Sequence, residues 1–459
     1  MKKTIISMVM LMAGLTAMAQ EGADRLTSAY QKVAFSLFNE VLKTADDNVC
    51  FSPLSAQLAL CMMQNGANGN TLQEMQSALG TEGFSTDDVN KYNQTMSQQL
   101  TYRPEFQFNA HEGLTEQEAK DLHDFLYPTC EIANALWNRP GVTIYKSFSD
   151  VLRQYYDAGT GAVDFSTQEG INYVNGWVDE KTHGLIKGIF SEPQSDDLAV
   201  VLVNALYLKA AWAVPFWEQL TKEEAFYLTD GTSTQTDMMF VSDPAFILTE
   251  TGPFRCVTLP YNNLFSMTVF VPVEGFELPA ISYENWKESA GKRIYDNEVG
   301  VNLKFPKFDI SGIYNLIPVL KTLGMTEAFT SSADFSRLSD VNRPISAVYQ
   351  LSRIKVDEKC TEAAAVTAIE ATESADPEKV VDFFVDRPFY FTIQNQRTNT
   401  ILFMGKVTKP GASTSGEATK ISKTTTKKEE EMIYDLCGRP LQRIPEHGIF
   451  IQNGRKIIR

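Results

Sequence analysis

The sequence predicts an α+β fold, and three observations carry that reading. Apolar residues recur at helical spacing from Leu26 to Leu42 (Leu26, Tyr30, Val33, Ala34, Leu37, Phe38, Val41), the mark of an amphipathic helix. Asn48 to Gly80 reads as a short buried strand, a serine-capped helix, a glycine-rich turn and a second helix. The third observation is Glu358 to Ala368, EKCTEAAAVTA, a run of small residues between acidic flanks. As a strand, its side chains alternate faces: Thr361, Ala363, Ala365, Thr367, Ile369 and Ala371 on one, Glu362, Ala364, Val366, Ala368 and Glu370 on the other. The first face is small and uncharged and can slide between existing strands without overpacking. The same composition also suits an alanine-rich surface helix, since alanine and glutamate are good helix formers.

Composition bounds the class. A chain of 459 residues with 43% hydrophobic and 11% aromatic content fits two or three domains or one large core. Lys2 and Lys3 precede the apolar run Thr4 to Ala13, and Ala17-Met18-Ala19 stands before Gln20, so residues 1–19 are expected to be a cleaved secretory signal. No cysteine stands at the cleavage site to take a lipid anchor, and no later stretch approaches the roughly 20 apolar residues of a membrane span. The body is therefore expected to be soluble and exported: extracellular, on an outer-membrane surface, or periplasmic. A net charge of -16 argues against nucleic acid or an anionic membrane as partner. The six cysteines (50, 61, 130, 256, 360, 437) are irregularly spaced and read mostly as free thiols.

Enzyme chemistry finds no foothold. None of the four histidines (111, 123, 183, 447) has a second histidine three or four residues away, so no metal site is expected and no cofactor is implied. There is no G-x-S-x-G elbow, P-loop or dinucleotide fingerprint. His183, within DEKTHGLIKG, reads as an exposed histidine where a helix ends at Gly184.

A resemblance organises the rest. Asn48 to Met75 resembles the serpin signature in which N-x-x-x-S-P-x-S leads into a helix and then G-A-x-G-x-T-x-x-E-M. Further segments are similar to serpin motifs in the family's order: NGWVDEKTHGLI from Asn175, VNALYLKAAW from Val203, TDMMF from Thr236, LPYNN from Leu259 and FPKFDI from Phe305. They continue with LGMTEAF from Leu323, ADFSRLS from Ala333, RPFYFTI from Arg387 and ILFMGKVTKP from Ile401. The resemblance spans roughly Arg25 to Pro410 and implies three β-sheets, about eight or nine helices and an exposed reactive loop. The serpin domain is accordingly placed at 20–410, with an unusually long charged insertion at 102–129 and the hinge and loop at 358–382.

Serpins are suicide inhibitors of endopeptidases, so the resemblance implies an inhibitor and not an enzyme, expected to act as a monomer. It makes Glu358, Cys360, Thr361, Glu362, Ala363, Ala364, Ala365, Val366 and Thr367 the hinge, and places the reactive bond at Ser374-Ala375, with Glu373 and Asp376 as neighbours. It also implies a sheet-opening cluster of Ser52, Ser55, Asn204, Trp212 and Gln350, hydrogen-bonded even though glutamine stands where many serpins have histidine. Cys360 replaces the usual hinge glycine and reads as an exposed thiol open to oxidation. The loop from Glu370 to Asp382 holds five acids, one lysine and no arginine, which disfavours trypsin-like targets. Elastase-like or subtilisin-like enzymes fit Ser374 and Ala375, a papain-like cysteine protease is compatible, and a glutamate-specific enzyme would use Glu373. The competing reading is a non-inhibitory serpin acting as an exported binding or surface protein.

Beyond Pro410, residues 411–431 read as a polar linker. Residues 432–459 read as short strands, Met432 to Tyr434, Gly448 to Gln452 and Lys456 to Ile458, with turns at Gly438, Pro445 and Asn453-Gly454. This segment resembles the sorting tail of proteins exported by type IX secretion.

Overall fold

In the computed structural model the described residues are 2–45, 48–108, 114–195, 198–291, 293–294, 299–361 and 379–411, with 433–434, 440–441, 449–452 and 455–458 in the tail; 2–20 and the tail are described as backbone only. The expected amphipathic helix is the latter part of α1 (Lys2–Leu42), which runs without a break from the segment read as a signal. Its buried residues Leu26, Tyr30, Ala34, Leu37, Phe38 and Val41 follow the predicted stripe. Asn48 to Gly80 folds as read. Strand β1 (Val49–Phe51) leads to Ser52, whose hydroxyl accepts from the Ser55 amide and caps α2 (Pro53–Gln64), with proline in the first turn. Helix α3 (Gly69–Leu79) follows and ends at Gly80, whose φ of 67° is the left-handed conformation that suits glycine.

The principal sheet has six strands in the order β11 (Phe308–Asn315), β12 (Ala347–Val356), β13 (Cys360–Thr361), β4 (Val200–Ala211), β2 (Thr129–Asn138) and β3 (Gly159–Ala162). Alternate residues of β4 serve two cores. Leu202, Leu206 and Leu208 enter the larger one beside α2, and Val201 and Val203 the smaller one beneath α7 (Gln168–Lys181), with Val174 and Val178.

A second six-stranded sheet runs β1, β16 (Thr400–Val407), β15 (Phe389–Asn395), β9 (Phe265–Pro272), β8 (Phe254–Pro260) and β7 (Ile247–Thr251). The third has four strands: β14 (Lys379–Phe384), β10 (Val299–Pro306), β6 (Ser233–Asp243) and β5 (Lys222–Tyr227). The remaining helices are α4 (Thr86–Thr101), α5 (Glu116–Leu126), α6 (Lys146–Tyr156), α8 (Tyr283–Ser289) and α9 (Ile317–Thr322).

The long insertion carries a helix of its own, α5. Residues 102–108 form neither helix nor strand, and α5 starts with a reciprocal capping box between Thr115 and Glu118. Arg103 ties it down, pairing with Asp124 and donating to the Thr129 hydroxyl, while Asn262 donates to the Phe125 carbonyl at 2.8 Å.

In the tail, β18 (Pro440–Leu441), β17 (Ile433–Tyr434), β19 (Ile449–Gln452) and β20 (Arg455–Ile458) form a small sheet. β18 is an addition to the strands read from sequence, and β19 pairs antiparallel with β20 from Ile449 opposite Ile458 to Gln452 opposite Arg455, while Asn453 and Gly454, expected as a turn, lie outside the described residues. No helix among the described residues is long and apolar enough to cross a membrane.

Candidate functional site

Strands β12 and β4 run parallel and pair from Ala347 opposite Val201 to Leu351 opposite Ala205. Beyond Leu351 and Ala205 the ladder between them stops. It resumes only where β13 lies antiparallel to both, with Thr361 opposite Val356 and Ala210, and Cys360 opposite Ala211. The sheet is thus paired at the base, holds two residues of a further strand at the top, and has no rung between Ser352–Lys355 and Leu206–Lys209. Only three residues, 357–359, separate the end of β12 at Val356 from β13, so the chain folds back into its own sheet at once.

The local chemistry enforces that fold-back. The Asp357 carboxylate accepts from the amides of Lys359 and Cys360, both at 3.1 Å, which is the short-range turn chemistry aspartate offers. Trp212, buried at the end of β4, donates its indole N–H to the Asp357 carbonyl at 2.9 Å and its amide to the Lys359 carbonyl at 3.0 Å. Its ring stacks on Tyr261 at 4.2 Å, and the Tyr261 hydroxyl shares a 2.5 Å hydrogen bond with Thr361. Burial pushes the Tyr261 phenol well above its ordinary range, so it meets Thr361 as a neutral hydroxyl. Glu358 is buried between Lys307, at 2.7 Å, and Thr221, which donates to it at 2.7 Å. Burial pushes its carboxyl up, but the bonds from Lys307 and Thr221 outweigh this and hold it below the usual range.

Of the expected hinge residues, Glu358, Cys360 and Thr361 therefore lie together at the top of the slot. Glu362, Ala363, Ala364, Ala365, Val366 and Thr367 lie outside the described residues, as do Glu373, Ser374, Ala375 and Asp376. One expectation is overturned. Cys360 is not an exposed thiol: it is 2% exposed, because the ladder with β4 carries it into the sheet. None of the five described cysteines forms a disulfide, and all five are buried; Cys437 lies outside the described residues.

The expected cluster divides. Ser52, Ser55, Asn204 and Gln350 are all buried, and Asn204 stands opposite Gln350 where β4 and β12 pair. Trp212 is not with them, since it belongs to the far end of β4 against the hinge. Nor does the Gln350 side chain bond to the other three, contrary to expectation; among them the Ser55 amide donates to the Ser52 hydroxyl in the cap of α2. Ser52 donates to the Leu402 carbonyl at 2.7 Å, Gln350 to the Leu351 carbonyl at 2.8 Å, and Asn204 to Asn134 of β2. Ser55 Oγ, Asn204 Oδ1 and Gln350 Oε1 are buried without a partner. The Gln350 amide turns back onto the carbonyl of its own strand neighbour, and that is the physical reason the expected bond is missing. Three unmatched polar atoms at and beneath the pairing of β4 with β12 leave this part of the sheet incompletely satisfied.

Several participants escaped the sequence reading: Lys307, Tyr261, Asp357 and Asn134. Lys307 and Tyr261 sit inside segments singled out for their motif, but nothing in their own spacing says that they would grip residues 358 and 361.

Comparison with known proteins follows from this architecture. Residues 28–410 match the profile of the family described as Serpin (serine protease inhibitor). The chain is 34% identical over 381 residues to Serpin-ZXA of Oryza sativa subsp. japonica, covering 80% of this chain and 91% of that protein. It is 30% identical to Serpin B4 of Homo sapiens, covering 84% and 100%. Among solved structures it is similar to a thermophilic serpin, tengpin, in the native state (TM-score 0.69, 28% identity, 83% of this chain and 94% of that one). Human thyroxine-binding globulin complexed with thyroxine gives a TM-score of 0.71 at 25% identity, covering 84% and 98%.

Proposed function

The chain belongs to the serpin family, and we propose that it is an inhibitory member, a suicide substrate that traps an endopeptidase by inserting its loop into the principal sheet. The observation that supports this most is Thr361, already seated between β12 and β4 above a stretch with no rungs. In this reading the protease attacks Ser374-Ala375, its serine forms an acyl bond to the Ser374 carbonyl, and the peptide bond to Ala375 breaks. The freed segment from Glu362 zips downward, with Ala363, Ala365 and Thr367 following Thr361 onto the inner face, and carries the acylated enzyme with it. Release of a metastable arrangement supplies the drive.

The acidic loop favours enzymes with small, uncharged specificity pockets, of the elastase or subtilisin type. Mixing the protein with elastase, subtilisin, papain and trypsin tests this. A denaturant-stable complex with elastase or subtilisin but not trypsin is expected, with mass spectrometry placing the cut within Glu373 to Asp376. A cut elsewhere sinks the assigned bond, and cleavage with no complex sinks the inhibitor reading. Cys360 favours the second reading, a binding serpin, because a residue with a Cβ replaces the family's glycine inside the slot. Residues 1–19 act in our proposal as an export signal and 432–459 as a sorting tail. Removing 411–459 should leave inhibition intact and stop delivery to the cell surface; unchanged delivery rejects that role.

A further inference from the structure

The insertion that precedes β2 is tied to the top of the slot through one hairpin. Strand β2 begins at Thr129, opposite Lys209, so from Ala210 onward β4 has lost that neighbour. The turn between β8 and β9 takes the vacated edge. On one side of β4, Trp212 donates its amide to the Lys359 carbonyl, and by alternation its neighbours bond on the other. There the Ala213 amide donates to the Pro260 carbonyl at 2.9 Å, and the Asn262 amide donates to the Ala211 carbonyl at 3.2 Å. The same hairpin also holds the hinge directly, because Tyr261 stacks on Trp212 and shares its hydroxyl bond with Thr361. Asn262, the next residue, donates Nδ2 to the Phe125 carbonyl in the last turn of α5 at 2.8 Å. Two adjacent residues thus join the hinge to the insertion.

We propose that Asn262 is a positioning residue for loop insertion: through it the inserted helix α5 clamps the β8–β9 hairpin, and the clamp sets the fraction of molecules in which residues 360–361 are seated in the sheet. Two features make the hairpin depend on it. Asn263 and Leu264 both have left-handed backbones, with φ of 55° and 68°. Asparagine visits that region readily, but leucine does not, and Leu264 is 43% exposed, so burial of its side chain offsets little of the strain. A strained turn persists only where its surroundings fix it. Here the fixing comes from Gln396, whose amide donates to the Leu264 carbonyl at 2.8 Å, from the end of β4, and from the bond between Asn262 and α5. The second feature is α5 itself. None of its residues is buried, and it is held largely by polar ties. Arg103 pairs with Asp124 and donates to the Thr129 hydroxyl, the His123 Nε2 meets the Pro104 carbonyl at 2.9 Å, and the Phe125 carbonyl accepts from Asn262. An element with so little burial belongs to the low-stability end of a fold and can come away while the sheet stays folded. When it does, the hairpin loses one of its fixings, Tyr261 loosens on Thr361, and the two residues of β13 are freed. The clamp rests on the inhibitory reading for its purpose, since residues 360–361 anchor one end of the loop that a protease must reach.

Its test needs no protease, because Cys360, buried in the slot, reports the seating. The full chain is treated with iodoacetamide in its native state, quenched at intervals and digested, and labelling of each cysteine-bearing peptide is followed by mass spectrometry. Cys50 in β1 and Cys61 in α2, both buried, are the internal controls for general opening. In Asn262→Ala the Cys360 thiol should label about five-fold faster, the factor that one net hydrogen bond supports, while Cys50 and Cys61 keep their rates. Arg103→Gln, which frees α5 from Asp124 and Thr129, should accelerate Cys360 in the same way. Combined, the two substitutions should do little more than either alone, since both break one connection. An unchanged Cys360 rate in Asn262→Ala, or equal acceleration of all three thiols, overturns the clamp. So does Cys360 labelling no faster than Cys50 in every variant, which would mean that the top of the slot opens only with the whole fold. Full multiplication of the two effects in the double variant would show that α5 does not act through Asn262, and overturns it as well. Should Arg103→Gln not fold, Asn262→Ala with its internal controls decides alone. A protein that passes these tests but traps no protease would lose the inhibitor reading and keep the clamp.

Discussion

Thr361 is 1% exposed, with its hydroxyl held by Tyr261 and its backbone laddered on both sides. A residue so placed before any cleavage is both a structural anchor and the leading end of whatever follows it into the sheet. Thr361→Arg would put an unpaired cation against a neutral phenol and an apolar stack, at a cost of ~3–5 kcal/mol. The protein should respond by expelling residues 360–361 from the slot, so the substitution ought to abolish protease trapping while cleavage of the loop continues. Unchanged trapping would remove Thr361 from the insertion path. Sequence alternation was enough to assign Thr361 to the inner face, because a period of two leaves only two choices. It gave no sign that Cys360 would be buried beside it, since burial there depends on Trp212 and Asp357 folding the chain back, which are contacts made across 145 residues.

At the scale of the element, the top of the slot is closed by one clasp in which Lys307 and Thr221 hold Glu358 from two other strands' surroundings. The folded carboxyl is held below its usual value, so the clasp contributes stability above the unfolded value, about pH 4.3, and loses it as pH falls through the folded one. Glu358→Gln should therefore lower stability by ~1–2 kcal/mol at pH 7 and differ little from the unaltered protein at pH 3. Denaturant titration at the two pH values checks this, and equal losses at both would mean that the charge is idle. The elements themselves were legible wherever local chemistry decides: the Ser52 cap, the Gly80 stop and the stripe of α1 all follow from neighbours in sequence. The insertion at 102–129 was legible only as an insertion. Its helix has a clear capping box, but the tie from Asn262 to Phe125 joins segments 137 residues apart and leaves no local trace.

The whole molecule is a sheet one strand short, closed below by the pairing of β12 with β4 and above by two residues of β13. Ordered motifs made the family readable, and the family carried the architecture; the buried acceptors of Ser55, Asn204 and Gln350 were not readable, because satisfaction is a property of three strands and a helix at once. Those acceptors and the missing rungs are the places where an added strand has something to gain. Insertion of roughly ten further residues would complete both ladders, bury the small inner-face side chains and tie β12 to β4 along their whole length, against the entropy of ordering the segment. In the intact chain both ends of that segment are fixed, at Thr361 in the principal sheet and at Lys379 in the third, so it cannot enter fully. A cut near Ser374 frees one end. Cleaved protein should accordingly melt higher than intact protein, and a net gain of only ~5 kcal/mol would raise the midpoint by roughly 6 °C. Most nicked proteins move the other way, so calorimetry of the two forms side by side is decisive: equal or lower melting after the cut would mean that the slot admits no strand, and the two residues of β13 would then be a lock and not a leading edge.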